Sequence, residues 1–307
     1  MTYHITIVGG TGMIGSALSN FLLEKGHQVS VLTRNKKNLE SKKEGLTYHS
    51  YDLEKNEWPN QVFENTDVLI NLAGRNLGDK RWNAQFKKDV YKSRIELTHS
   101  LVDIFTNVNT RSALVINGSA IGYYGMDRGE ELLDETSEPG HGFLADLCVD
   151  WEKEAKKYTN GRLVLLRTGI VLANEGGAYP KLKNPILLGL GSGLASGRQW
   201  MSWIHLHDLI QSIYFIIRSN DIEGVVNATA PNPVRNRRLI GEVSDSLNKA
   251  ILLPRVPSLF LRLGLGEFAD SVIGGLHAAP NKLTNNGFLW KYDTIDKAVQ
   301  QLNWPNK

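Results

Sequence analysis

The sequence predicts an α/β fold, a doubly wound parallel sheet with a smaller C-terminal lobe. Three observations carry the prediction. Short β-branched runs alternate with helical stretches through the first half of the chain. A glycine-rich turn stands directly between the first strand-like run and the first helix. The second half then changes character, with a stretch rich in Gly and Pro followed by amphipathic segments.

Taken in order, Ile5-Thr6-Ile7-Val8 is a β-branched run that stops at glycine, as a buried strand does. Ser16 to Lys25 carries Leu18, Phe21 and Leu22 at helical spacing, and Gly26 is a natural C-terminal cap. Further strands are expected at Gln28 to Leu32, Asp67 to Asn71, Leu114 to Asn117 and Leu163 to Leu166. Helices over Asp89 to Phe105 and Leu144 to Lys157 separate them. Such alternation points to a parallel sheet covered on both faces. Gly176 to Gly197 reads as a long, partly irregular excursion. A helix over Asp208 to Arg218, a short strand at Val225 to Ala228 and an amphipathic stretch from Arg237 to Asn248 follow. Leu259 to Ile273 is an apolar helical region holding Glu267 and Asp270.

Composition narrows the function classes. The net charge of +3 comes from 35 basic and 32 acidic residues with no dense basic block, so a nucleic-acid partner is not implied. The single cysteine, Cys148, excludes an intramolecular disulfide and suits a reducing compartment. No run of ~20 apolar residues could span a bilayer, and the chain enters a strand at once, without a signal-peptide pattern. It reads as a cytoplasmic protein with no membrane partner. No Cys/His spacing resembles a metal site.

The glycine turn carries the chemistry. Gly9, Gly12 and Gly15 are spaced by three in Gly9-Gly10-Thr11-Gly12-Met13-Ile14-Gly15. Gly9 permits the tight turn out of the strand, Gly12 lets backbone approach a pyrophosphate, and Gly15 allows close packing of the helix. The helix N-terminus offers free N–H groups and partial positive charge to the phosphates. This is the fingerprint of a Rossmann-type dinucleotide site. The expected division is a dinucleotide-binding domain at 1–167 and a smaller, interleaved substrate lobe at 168–307. At the end of the second strand, Leu32-Thr33-Arg34 offers no acid for a ribose hydroxyl. Arg34, with Lys36 or Lys37 behind it, suits a 2′-phosphate, which favours NADP(H) over NAD(H).

Beyond the glycines, the chain resembles the extended short-chain dehydrogenase/reductases, and within them the atypical "epimerase family protein" group. The resemblance runs over nearly the whole chain. It rests on Asn71-Leu72-Ala73-Gly74, Lys80-Arg81-Trp82, Ser119 to Gly125, Leu166 to Leu172, Gly197 to His205, Asp208 and Asn227 to Pro231. It implies that Leu72, Ala73 and Gly74 pass beside the cofactor's ribose and phosphates. Asp52 and Leu53, after the third strand, would border the adenine, and Thr168, Gly169 and Val171 the nicotinamide. Ser119 resembles the superfamily's catalytic serine, with Ala120 as the alternative if the alignment slips by one. The resemblance also implies a homodimer.

One departure is pronounced. The superfamily pairs Tyr-x-x-x-Lys on the next helix so that a phenol can exchange a proton with the reacting oxygen. Here Leu144 and Cys148 stand at those places. Tyr123 and Tyr124 are substitutes by proximity to Ser119, with Tyr124 either an acid or a packing residue. His205 and Asp208 are either a dyad or a helix-start hydrogen bond. Cys148 is either a nucleophile or a small buried hydrophobe. Trp82, Trp200 and Trp203, with Arg81, Arg198 and His205, either hold a flat or anionic substrate or pack the lobe interface. Glu267 and Asp270 read as lobe-packing partners of arginines such as Arg262, and Glu130 to Glu135 as a solvated acidic loop. The function expected is an NADP(H)-dependent oxidoreductase on a small carbonyl or hydroxyl compound. The alternatives are a sugar-nucleotide epimerase or dehydratase and a non-catalytic NADP(H)-sensing or scaffold protein.

Overall fold

The computed structural model describes residues 2–35 and 43–304. Lys36 and Lys37, expected beside Arg34, lie outside the described residues.

The strands β1 (His4–Val8), β2 (Gln28–Thr33), β3 (Leu46–Ser50), β4 (Val68–Asn71), β5 (Leu114–Ala120), β6 (Arg162–Thr168) and β7 (Gly224–Ala228) form one sheet. Its order is β7-β6-β5-β4-β1-β2-β3, and every pairing is parallel. The order reverses between β1 and β4. A crevice therefore opens at the carboxyl ends of those strands, where ligands bind in doubly wound sheets.

Side-chain alternation sets the two faces. Ile5 and Ile7 join Leu18 and Leu22 of helix α1 (Met13–Glu24). Val8, Leu69 and Val115 join Leu101 and Phe105, which lie on the helix Leu97–Val108. Each such aliphatic or aromatic side chain, fully buried, contributes about 1.5–3 kcal/mol, so this two-sided burial is the main force holding the sheet between its helices.

The long helix expected over Asp89 to Phe105 is instead three pieces. These are α2 (Ala84–Tyr91), a π-helical turn (Lys92–Glu96) and α3 (Leu97–Val108). The buried residues explain it: Phe86 to Val90 is a step of four, but Val90 to Ile95 is a step of five. One extra residue in the turn keeps both apolar stripes on the core. Helix α4 (Phe143–Ala155) lies beside α3, and Trp151 Nε1 donates to Thr98 Oγ1 at 2.8 Å.

The second half crosses back into the first. Helix α5 (Leu206–Arg218) covers the α1 face, with Ile213 and Ile217 in the same core, and β7 pairs with β6. The excursion expected to be irregular holds a helix, Tyr179–Leu187, started by Pro180 in its first turn. The apolar region expected as one helix is broken at Gly266 (φ 61°) into Ser258–Leu265, a short 3₁₀ turn and Ala269–Ile273. A separate core gathers Leu172, Tyr179, Trp203, Leu239, Tyr292 and Val299. No helix among the described residues is long and apolar enough to cross a membrane.

Candidate functional site

The glycine turn is built by contact. At Gly9 φ is 83°, and a β-carbon there would sit 2.7 Å from the Leu72 carbonyl carbon. A β-carbon at Gly15 would meet the Gly9 carbonyl oxygen at 2.4 Å, so Gly15 packs against the turn itself. Gly12 differs: a β-carbon there would meet only Gly9 O, at 3.4 Å, and Thr11 and Gly12 are exposed. Gly12 caps α1 without any side-chain hydrogen bond. Met13, Ile14 and Gly15 begin a twelve-residue helix whose first N–H groups have no partner within the helix. These residues fit a phosphate bridge: bare backbone and a helix N-terminus.

A cleft of about 890 Å³ opens beyond the ends of β2, β3 and β4. The glycine turn does not line it but adjoins its wall, since a β-carbon at Gly9 would meet Ala73 N at 2.8 Å. Arg34, Asp52, Leu53, Ala73 and Gly74 line it together, with Tyr51, Trp58, Arg75, Lys92 and Ser93. Tyr51 and Trp58 stack at 4.8 Å and 5°, and Trp58 Nε1 is held by Ser100 Oγ at 2.8 Å. Asp52 Oδ1 accepts the Glu54 and Lys55 N–H groups, which tightens the turn after β3. Lys92 Nζ donates to Glu54 across the mouth at 2.6 Å. On the other side of the glycine turn, Met13 Sδ lies near Gly176, and its methyl near Gly177 beside the Val171 carbonyl. Thr168 ends β6, paired with Ala120 and Ala228. Gly169 leaves no room for a side chain, since a β-carbon would be 2.6 Å from Ser202 O.

Where proton transfer would be expected, the structure shows a buried ionic cluster. Arg167 Nε and Nη2 donate to the Glu152 carboxylate at 2.8 and 2.9 Å. Ser119 Oγ donates to the same carboxylate at 2.8 Å. Tyr124 is fully buried; its hydroxyl meets Asp134 O, Asn227 Oδ1 and Arg167. Burial pushes the Tyr124 phenol up to about 12, against the pull of Arg167. Burial draws Arg167 down, but its bonds to Glu152 outweigh that and hold it above the ordinary arginine value. Tyr123 lies over the Arg167 guanidinium, 3.3 Å from ring centroid to Cζ. Leu144 and Cys148 pack on Gly122, and burial raises the Cys148 thiol to about 12.

A family model described as the NAD dependent epimerase/dehydratase family matches residues 5–228. The chain belongs to that family. A second model, a domain of unknown function (DUF1731), matches residues 256–302. An epimerase family protein of Staphylococcus aureus (strain MRSA252) is 37% identical over 301 residues, spanning 96% of this chain and 97% of its own. The human epimerase family protein SDR39U1, solved with NADPH, superposes with a TM-score of 0.87 at 27% identity, each chain covered 100%. The enzyme WbmG of Bordetella bronchiseptica, solved with NAD and UDP, gives 0.77 at 16% identity over 99% of this chain and 95% of that one, and so shares the fold alone.

The geometry decides between the alternatives left open for this epimerase-family chain, and it corrects the roles expected of Ser119 and Tyr124. Ser119 spends its one proton on Glu152, and the Tyr124 hydroxyl is closed in by protein, so neither hydroxyl is poised to donate to a substrate. A thiol buried like that of Cys148 is no nucleophile. His205 and Asp208 form no dyad. His205 Nδ1 caps α5 by accepting from His207 N, its Nε2 meets Gln301 Oε1, and Asp208 accepts from the N–H groups of Lys291 and Tyr292. Trp82 and Trp203 are buried, their indole N–H groups taken by Leu77 O and Asn232 O. Trp200 has one face on His277 at 4.0 Å and the other under Arg235 at 3.8 Å. Arg198 is exposed, and Arg81 is exposed with its guanidinium end against Gly266. The acidic loop is a tie as well as a surface: Glu130 bonds Arg235 and Trp200, and Glu135 accepts from Asn227 N and Lys282 N. Asp270 does pair with Arg262 at 3.0 Å, while Glu267 pairs with Lys87.

His205 makes a pH test. Burial lowers its pKa to about 4, below the ordinary 6.5. The unfolded chain takes the proton near 6.5, whereas the folded one resists it, so stability from this group is complete above 6.5 and is lost as pH falls toward 4. Protonation also removes the Nδ1 acceptor that caps α5. Melting temperatures from pH 7 to pH 4 should fall more steeply for wild type than for His205→Asn, which keeps a capping acceptor without the titration. The difference at the acid end should be about 3 kcal/mol. Equal slopes would remove His205 from the acid response.

Proposed function

We propose that this chain binds NADP(H) in the cleft and is an oxidoreductase acting on a small carbonyl or hydroxyl compound in the cytoplasm. Arg34 carries the cofactor half of that reading. It stands one residue beyond β2, lines the cleft with Asp52 and Leu53, and no carboxylate occupies that strand end. A guanidinium there suits a 2′-phosphate, where an NAD site would place an acid. The human relative solved with NADPH supports the same choice.

In this reading Gly9, Thr11, Gly12, Met13, Ile14 and Gly15 hold the phosphate bridge. Asp52 and Leu53 flank the adenine, Leu72, Ala73 and Gly74 the ribose and phosphates, and Thr168, Gly169 and Val171 the nicotinamide. When bound, the dinucleotide supplies hydride chemistry; the protein orients it and excludes water. Leu144 stands where epimerase and dehydratase chemistry uses a tyrosine, which weakens the sugar-nucleotide reading. The Glu152–Arg167 cluster favours one second reading, a non-catalytic NADP(H) sensor, because it consumes the hydroxyls nearest the reacting end.

Thermal shift tests the cofactor choice. NADPH at a hundredfold its dissociation constant adds about 2.7 kcal/mol of stability, and NADH should add less. Arg34→Asp should abolish most of the NADPH shift and spare that of NADH. A larger shift with NADH in the wild type would overturn the NADP(H) assignment. Turnover of NADPH in proportion to a reduced carbonyl separates the oxidoreductase from the sensor.

A further inference from the structure

The π turn between α2 and α3 carries a charged group with no carboxylate partner among the described residues. Lys92 and Ser93 line the cleft wall, and Ser93 Oγ accepts from the Arg75 N–H at 3.0 Å. Arg94, the middle residue of the turn, points inward instead. Its guanidinium lies on the α-carbon of Gly74: a β-carbon built there would be 2.8 Å from Arg94 Cζ and 3.0 Å from Nη2. The Trp151 ring supports it, 5.2 Å from Cζ to centroid.

Among the described residues Arg94 makes no ion pair, and its single hydrogen bond is to Ser93 Oγ at 3.5 Å. A guanidinium has five N–H donors. Arg94 is half-buried, and its unpartnered nitrogens are not among the buried polar atoms left without a partner, so these donors stay open to an incoming acceptor. Burial lowers its pKa to about 10, so it stays cationic at neutral pH. Every other arginine with a low exposure in this site, Arg167 above all, has its carboxylate.

Position says what the partner is. Along the carboxyl edge of the sheet, Arg34 and Asp52 follow β2 and β3, the glycine turn follows β1, and Gly74 follows β4. Thr168, Gly169 and Val171 lie beyond β5, at and after the end of β6. A dinucleotide laid along that edge has its adenosine over β2 and β3 and its phosphates over β1. The sugar next to the nicotinamide then falls at β4 and β5, where Gly74 and Arg94 meet.

We propose that Arg94 is the positioning cation of the cofactor site, donating to the hydroxyls of the nicotinamide-side ribose from the π turn beneath Gly74. The assignment rests on the dinucleotide reading above. Gly74 matters to it because any side chain there would displace the guanidinium.

Isothermal titration of wild type, Arg94→Met and Arg94→Lys with NADPH and with 2′,5′-ADP tests it. The smaller ligand carries the adenosine half and lacks the second ribose. Arg94→Met should weaken NADPH at least about tenfold and leave 2′,5′-ADP unchanged, and Arg94→Lys should recover part of the loss. Unchanged NADPH affinity in Arg94→Met would overturn the proposal. So would equal weakening of both ligands, which marks a merely structural arginine. Wild-type protein that binds neither ligand would instead overturn the dinucleotide reading from which the proposal starts.

Discussion

Glu152→Ala is expected to destabilise the fold by about 3–5 kcal/mol, the usual cost of breaking a buried ion pair from one side. Arg167 would be left charged and nearly inaccessible, and the Ser119 hydroxyl would lose its acceptor. The Coulomb attraction alone does not decide the size of the effect. What decides it is that no water reaches the stranded guanidinium. Urea unfolding should show the midpoint falling with an unchanged slope. The double variant Glu152→Met with Arg167→Met should recover much of the loss, since replacing both partners of such a pair by apolar groups is often neutral. A Glu152→Ala loss below about 1 kcal/mol, the range of exposed pairs, would show that water enters the cluster.

Gly15→Ala should be the sharpest binding variant. A glycine-to-alanine change inside a helix ordinarily stabilises by about 0.8–1 kcal/mol. At Gly15 the new methyl would lie 2.4 Å from the Gly9 carbonyl oxygen and 2.6 Å from Gly10 Cα. Both are backbone atoms, so the turn itself must move, and overpacking of this kind costs about 1–3 kcal/mol. The sign should therefore reverse. Gly241 is the control, because it lies inside the helix Asn236–Ser246 and a β-carbon there has nothing within 4 Å. Gly241→Ala should raise the melting temperature. Gly15→Ala should lower it and weaken NADPH by at least about tenfold, since the displaced backbone is the proposed phosphate cradle. A Gly15→Ala protein that binds NADPH normally would show that the turn tolerates a shift and that its spacing is not what holds the cofactor.

The sheet was legible because its inner strands are β-branched and buried on both faces, so their sequence signal is strong. Ile5 to Val8 and Asp67 to Asn71 are of this kind. The edge strand Leu46–Ser50 has no fully buried residue and carried no such signal. The backbone of the glycine turn was legible for a related reason. Glycine spacing records backbone contacts directly, and Gly9 and Gly15 meet the contacts that their spacing implies. The roles of Ser119 and Tyr124 were not, because a hydroxyl near a strand end looks the same whether it faces a ligand or a buried carboxylate. Ser119 and Tyr124 face the latter. Trp82 and Trp203 were ambiguous in the same way, since a tryptophan near a cleft can serve stacking or packing, and only the partner of its indole N–H decides. Arg94 was hidden inside a segment taken as one regular helix. The five-residue step from Val90 to Ile95 was the available sign that the helix widens there.

The strand β7 is made late, from residues 224–228, yet it covers the flank of β6, finished at residue 168. During synthesis the emerging chain therefore carries an unpaired strand edge until residue 228 has appeared. Bare edges of that sort recruit other chains. The C-terminal half thus protects the nascent N-terminal half from association with its neighbours, and a shortened product ending before β7 would lack that protection permanently.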